Sequence, residues 1–485
     1  MNKQELLNYV DGLRETIIDI SDRIWEYAET AFQEFRSMEK HCATLEAAGF
    51  CVIRGVGNVP TAFTASFGSG KPVIGLLAEY DALAELNQKG GCATRQPTSA
   101  EDAGKPGHGC GHNLFGACAT GAALALQEYL KQTPGLGGTI VVYGCPGEEG
   151  GSGKTFMARE GVFDGCDAAL SFHPSTMNSI VSGSSLANIQ VMYRFYGVAA
   201  HASSAPESGR SALDAVELMN IGTQFLREHM PDADRVHYAI TNAGGYSPNV
   251  VQARADVLYL IRSPKSANAK KLYERVTRIA HGAAMMTDTR VEVEFVKACS
   301  EKIRNDTLTK ALYRNMEAIA LPEYTPEEYA FALEVEKSVE NMKSPLEEAV
   351  RRCGEPFRPQ LTELYAEDRG INDFLLPLYT NDVVSKGSTD VGDVTWVCPT
   401  GGFVAVTTAR GTPGHSWQFV ACNNSSIAHK GLMYATKVMA ATVFDLLNSP
   451  ETVAQAKAEH TMRLGGQTYQ CPIPEGVQPR SLTEL

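Results

Sequence analysis

Between Pro72 and Ser175, apolar β runs and helical stretches take turns: PVIGLLAEYDAL, LFGACATGAALALQEYL, GTIVVYGCP, TFMAREGVF and DAALSFHPS. Strands alternating with helices imply an α/β fold with a largely parallel sheet, whose functional residues gather beyond the strand carboxyl ends. Each strand end here delivers a residue able to do chemistry: Asp81 after the first, Glu148 and Glu149 after the second, His173 after the third. Ahead of this core, residues 3–48 read as helical, with apolar positions at helical spacing. From about Ser185 the texture changes. SLANIQVMYRFYGVA alternates like a strand with one solvated face, SALDAVELMNIGTQFLREHM is an amphipathic helix, and NVVQARADVLYLIRS and RVEVEFVKA are further strands. A smaller α+β domain over residues 185–299 is therefore expected, inserted into a larger one made of 1–184 and 300–485. Residues 322–378 are charged and poorly patterned, and VCPTGGFVAVTTA returns to strand character.

The stretch GHGCGHN, Gly107 to Asn113, sets His108, Cys110 and His112 two residues apart with glycine between them. In an extended segment alternate side chains point to one side, glycine permits tight bends, and thiolate and imidazole both bind transition metals. Taken alone, the heptapeptide fits buried structural residues as well as a metal site. Adjacent Glu148 and Glu149 are unfavourable neighbours unless one is protonated or a cation lies between them. A surface acidic turn is the plainer alternative. Asp81 could equally cap a helix, and His173 by itself would be structural. His415, in the GTPGHSWQF loop, could close a metal shell from the far side of the sheet; STDVGD, Ser388 to Asp393, reads as well as a polar turn. In the inserted domain His201, Asn249 and Arg262 could bind a carboxylate and an oxyanion, or be ordinary polar surface.

GEEGGSGKT, Gly147 to Thr155, imitates a phosphate-binding loop. That pattern needs glycine five residues before the Gly153–Lys154 pair, where Glu148 stands, and two carboxylates would repel the phosphates. Nucleotide binding is rejected.

The chain has 485 residues and a net charge of −13, which argues against nucleic acid or an anionic membrane as partner. Its 12 cysteines are scattered without a CxxC pair, the start is charged and helix-like, and the run LFGACATGAALAL is too short to span a bilayer. A reduced, soluble, cytoplasmic protein is expected.

In their order, EYDAL, GHGCGHN, GCPGEEGGSGK, SFHP and AHASSAPESGRSALDA resemble the co-catalytic metallo-amidohydrolases, the family of aminoacylases, carboxypeptidase-G-like enzymes and auxin-conjugate hydrolases. The resemblance covers nearly the whole chain. It implies a metallopeptidase catalytic domain with a mostly parallel sheet, and an inserted ferredoxin-like domain for dimerisation or as a lid. It implies two divalent ions, Mn or Zn, held by Cys110, His112, Glu149, His173 and His415, with Glu148 as general base and Asp81 supporting a ligand. His201, Asn249 and Arg262 are implied to contact substrate, His201 by reaching the site of a partner protomer. His108 is left to support the loop, and Asn113 stands where the family commonly has aspartate. The 322–378 segment has no counterpart in shorter relatives. The implied reaction is hydrolysis of an N-acyl or aroyl amino acid carrying a carboxylate, p-aminobenzoyl-glutamate foremost, by a homodimer or a heterodimer with a related chain. Two other readings remain: a cysteine hydrolase using Cys110 and a histidine, which no familiar nucleophile motif supports, and a non-catalytic subunit, against which the complete motif set argues.

Overall fold

The computed structural model describes residues 1–481. The amino-terminal region forms three helices, Lys3–Gly12, Arg14–Tyr27 and Phe35–Ala47. Asn2 starts the first through a capping box with Glu5, and Ala28, in the left-handed conformation, ends the second.

Six strands precede residue 182: β1 (Cys51–Arg54), β2 (Phe63–Ser69), β3 (Val73–Ala78), β4 (Gly138–Gly144), β5 (Ala168–Ser175) and β6 (Ser179–Val181). Among the described residues four longer strands follow, β7 (Ala187–Tyr196), β8 (Arg235–Asn242), β9 (Arg254–Ser263) and β10 (Arg290–Cys299), a two-residue pair joins Ser184–Ser185 to Val384–Ser385, and β11 (Thr400–Val406) comes last. The larger sheet has the order β1-β2-β4-β3-β5-β11-β6. Its centre is parallel, β3 with β4 and β5, and β5 with β11. The flanks are antiparallel. Ile74, Leu76 and Leu77 of β3 are wholly buried, as befits a central strand covered on both faces. The long helices His112–Gln132 and Ser426–Asn448 pack against each other close to the sheet, close enough that a Cβ on Gly121 would meet Ile17 and Thr436.

The second sheet, β10-β7-β9-β8, is antiparallel throughout and carries the helices Ala212–Arg227 and Ser266–Met286 on one face. The solvated face expected for β7 is corrected here. Asn188, Gln190 and Met192 are all buried, because Asn188 and Gln190 look into a cavity rather than into water. The edge strand β8 was not legible in the sequence. Residues 322–378 hold three helices, Pro326–Lys337, Pro345–Cys353 and Arg358–Leu364, and line none of that cavity. They brace the loop that carries His415 instead: Glu336 pairs with Arg410 at 2.8 Å, and Gln418 donates to the Ser338 carbonyl. No helix among the described residues is long and apolar enough to cross a membrane.

Candidate metal centre and substrate cavity

Beyond the carboxyl ends of the central strands lies a cavity of about 560 Å³, within the range of small-molecule sites. The glycine-rich heptapeptide reaches it through the tight bend that its glycines permit. Gly111 adopts φ +76°, and His112 then opens the helix His112–Gln132. Cys110 lines the cavity, while His108 faces away and its Nε2 bonds the Ile24 carbonyl at 2.9 Å. Asn113 is buried and donates to Ser21 Oγ and the Asn423 carbonyl. An aspartate could not donate there, so this amide is a structural choice.

Asp81 Oδ1 lies 2.8 Å from His112 Nδ1, and its other oxygen accepts the Glu149 N–H at 2.9 Å. That contact places the imidazole proton on Nδ1 and turns Nε2 toward the centre. Burial opposes charge on His112, but Asp81, Cys110 and Glu79 hold its pKa well above the usual range. Burial likewise opposes ionisation of Asp81, and the His112 charge and hydrogen bond outweigh it. His173, within β5 rather than past its end, donates Nδ1–H to the Pro174 carbonyl at 2.7 Å and brings Nε2 to 3.4 Å from Cys110 Sγ. His415, at φ +57°, is pinned by its N–H to the Gly109 carbonyl. Its Nε2 lies 3.0 Å from Glu149 Oε1 without hydrogen-bond alignment. Burial, then the Glu79 and Glu149 charges, pushes Glu148 well above the carboxylate range.

Donor atoms come together in three groups, each within 4.8 Å: Cys110, His112 and His173; Cys110, Glu149 and His415; and His112, Glu148 and Glu149. Two buried donors, His112 Nε2 and Glu149 Oε1, have no hydrogen-bond partner among the described residues. The negative potential that favours imidazolium at His112 favours any cation in its place. Thiolate, imidazole and carboxylate donors facing one another in this way fit divalent transition metals.

Glycines around Glu148 and Glu149 permit close approach. A Cβ at Gly153 would fall 1.9 Å from the Pro146 carbonyl oxygen, just ahead of the two glutamates. Gly153→Ala is therefore expected to cost about 1–3 kcal/mol, seen as a lowered urea midpoint; an unchanged midpoint would show that the turn has room.

Sequence reasoning missed several residues here. Lys154 is completely buried, and its Nζ lies 2.6 Å from both Glu79 Oε1 and Asp390 Oδ1, so it serves no phosphate. Glu34, also buried, accepts the Gly147 N–H beneath the Glu148 loop. The Glu34 signal was absent, but a lysine inside an apolar strand–helix junction could have prompted a search for its acid partners. Arg262 lines the cavity with Asn188, its cross-strand neighbour. His201 and Asn249 do not: both are exposed, lie beside each other through the Ala202 N–H to the Asn249 carbonyl, and stand outside the cavity of their own chain.

Residues 75–355 match peptidase family M20/M25/M40, and the chain belongs to it. Fold, family and donor set together define a metal-dependent amidohydrolase. The chain is 48% identical to one of the subunits of p-aminobenzoyl-glutamate hydrolase from Escherichia coli, over 99% of its own length and 100% of that protein. With another subunit of the same enzyme it shares 28% identity over 50% of its length and 56% of that protein. A dinuclear metal binding peptidase from Bacillus subtilis superposes with a TM-score of 0.53 at 16% identity, covering 90% of this chain and 99% of that one, which speaks to the fold.

Proposed function

We propose that the chain hydrolyses the amide bond of p-aminobenzoyl-glutamate to p-aminobenzoate and glutamate. The observation that carries this reading is one cavity joining donor groups that share Cys110 to a wall bearing Arg262. The 48% identity to a polypeptide of p-aminobenzoyl-glutamate hydrolase supports the substrate. Cys110, His112, Glu149, His173 and His415 hold two divalent ions, which supply Lewis acidity toward the scissile carbonyl and lower the pKa of water. Glu148 takes the proton of the attacking water and passes it to the leaving nitrogen. Asp81 fixes the His112 ring, and Arg262 receives a substrate carboxylate in a two-pronged contact. His201 and Asn249, exposed outside their own cavity, serve the site of a second protomer, His201 supporting the developing oxyanion. Residues 185–299 act as the dimerisation and lid domain, and 1–184 with 300–485 hold the metal centre. Similarity to two different subunits of one enzyme favours a heteromer with a related chain. Twelve unpaired cysteines suit a reducing cytoplasm. The Cys110 thiolate suits zinc by softness, and the family resemblance favours manganese.

The test is p-aminobenzoate release by the purified chain, alone and mixed with a related chain, before and after stripping with a chelator. Stripping is expected to abolish release, and Mn²⁺ or Zn²⁺, added back separately, to restore it. Undiminished release from metal-free protein overturns the reading. Release from the mixture alone assigns the heteromer.

A further inference from the structure

Three cations face the cavity without a counter-charge. Arg262 Nη1 donates to Ser388 Oγ at 3.0 Å, and its Nε has no partner among the described residues. Lys297 Nζ donates to the Glu149 backbone oxygen at 3.1 Å. The Lys302 ammonium makes no hydrogen bond or ion pair among the described residues. Arg304 on the same wall differs, being paired with Asp306 and Asp382. The acids lining the cavity are engaged elsewhere: Glu79 and Asp390 hold Lys154, and Glu148 and Glu149 stand among the metal donors.

A cation withdrawn from water without a partner is unfavourable, and burial, with the Arg352 charge behind it, lowers the Lys302 pKa to about 8. In a chain of net charge −13, this local excess is no general surface property. The strand register separates two anchoring points. Arg262 on β9 and Cys299 at the end of β10 flank Asn188 of β7 from opposite sides, and Lys302 follows three residues after Cys299.

We propose that this wall reads two carboxylates, Arg262 taking one and Lys302 the other, so that the site selects N-acyl derivatives of dicarboxylic amino acids over neutral ones. The inference rests on the amidohydrolase reading and deepens it, with Lys302 as the residue that determines specificity for the side-chain carboxylate. Lys297, next to Glu149, adds positive potential between the metal donors and these two anchors.

The test uses non-cleavable analogues, N-(4-aminobenzyl)-glutamate and N-(4-aminobenzyl)-glutamine, titrated calorimetrically into the metal-loaded protein. Amide cleavage of the corresponding p-aminobenzoyl compounds is followed in parallel. The wild type is expected to bind the glutamate analogue about 10–100-fold more tightly, the range of a charge-assisted hydrogen bond. In Lys302→Met that ratio collapses toward unity, and in Lys302→Arg most of it returns. Lys302→Met removes an unpaired, half-buried charge, so its thermal midpoint is expected at or above that of the wild type. A ratio unchanged in Lys302→Met, or absent from the wild type, overturns the proposal. A wild type that prefers the glutamate analogue but cleaves neither amide, even when metal-loaded and mixed with the related chain, sinks the amidohydrolase reading and leaves this one standing.

Discussion

Glu148→Gln is expected to lower turnover of p-aminobenzoyl-glutamate by about 10²–10⁴-fold, the usual contribution of a positioned general acid–base. Metal content and substrate affinity should remain near wild-type values. Glu148 lines the cavity and makes no ion pair among the described residues, and Glu79 and Glu149 crowd it with like charge. Burial together with that repulsion raises its affinity for a proton, which suits a carboxylate that takes one from water and then hands it to a leaving nitrogen. Glutamine keeps the size and polarity of the side chain but can neither accept nor release the proton. Steady-state kinetics give the rate, and elemental analysis the metals. The second measurement matters because Glu148 also falls within 4.8 Å of donors from His112 and Glu149. Loss of one metal equivalent would make Glu148 a ligand, and an unchanged rate would remove it from the chemistry altogether.

The sequence made the site's donors legible because they sit on local signals. Asp81, Glu148 and Glu149 lie just beyond apolar strands and His173 near the end of one, and the structure gathers them because parallel strands place their carboxyl ends together. The glycine of GHGCGHN was legible as a turn, but the geometry was not. Gly111 in the left-handed region bends the chain so that Cys110 faces the cavity while His108 anchors behind it, where an extended segment would have aimed all three alike. What escaped depends on distant partners. Asn188 and Gln190 gave β7 the look of a half-solvated strand, since polar residues facing a cavity carry the same pattern as residues facing water. The helices of 322–378 escaped for a related reason: Arg410 and Glu336 form a buried pair, and charges paired in three dimensions look like solvated surface in one.

Lys154→Met is the variant expected to damage the fold most. The lysine, 0% exposed, lies between Glu79, one residue past β3, and Asp390, on the loop that closes the cavity from the other half of the chain. Its backbone N–H also donates to Asp390, at 2.8 Å. Burial disfavours the ammonium, but Asp390 and Glu79 outweigh it and hold the pKa well above the ordinary lysine range. Methionine fills a similar volume and supplies no charge, which leaves two carboxylates buried without a counter-ion. Removing one member of such a group costs about 3–5 kcal/mol, whereas replacing the whole group by apolar residues is often neutral. Lys154→Met is therefore expected to lose about 3–5 kcal/mol in denaturant unfolding. The triple variant with Glu79→Gln and Asp390→Asn is expected to recover part of that loss. Recovery of stability without recovery of turnover would follow if the ion pairs also set the loop against the cavity, because Glu79 Oε2 stands 3.2 Å from His112 Nε2. A loss below about 1 kcal/mol in the single variant, the scale of an exposed pair, would mean that water reaches the two carboxylates and that the loop at Asp390 is not held by charge.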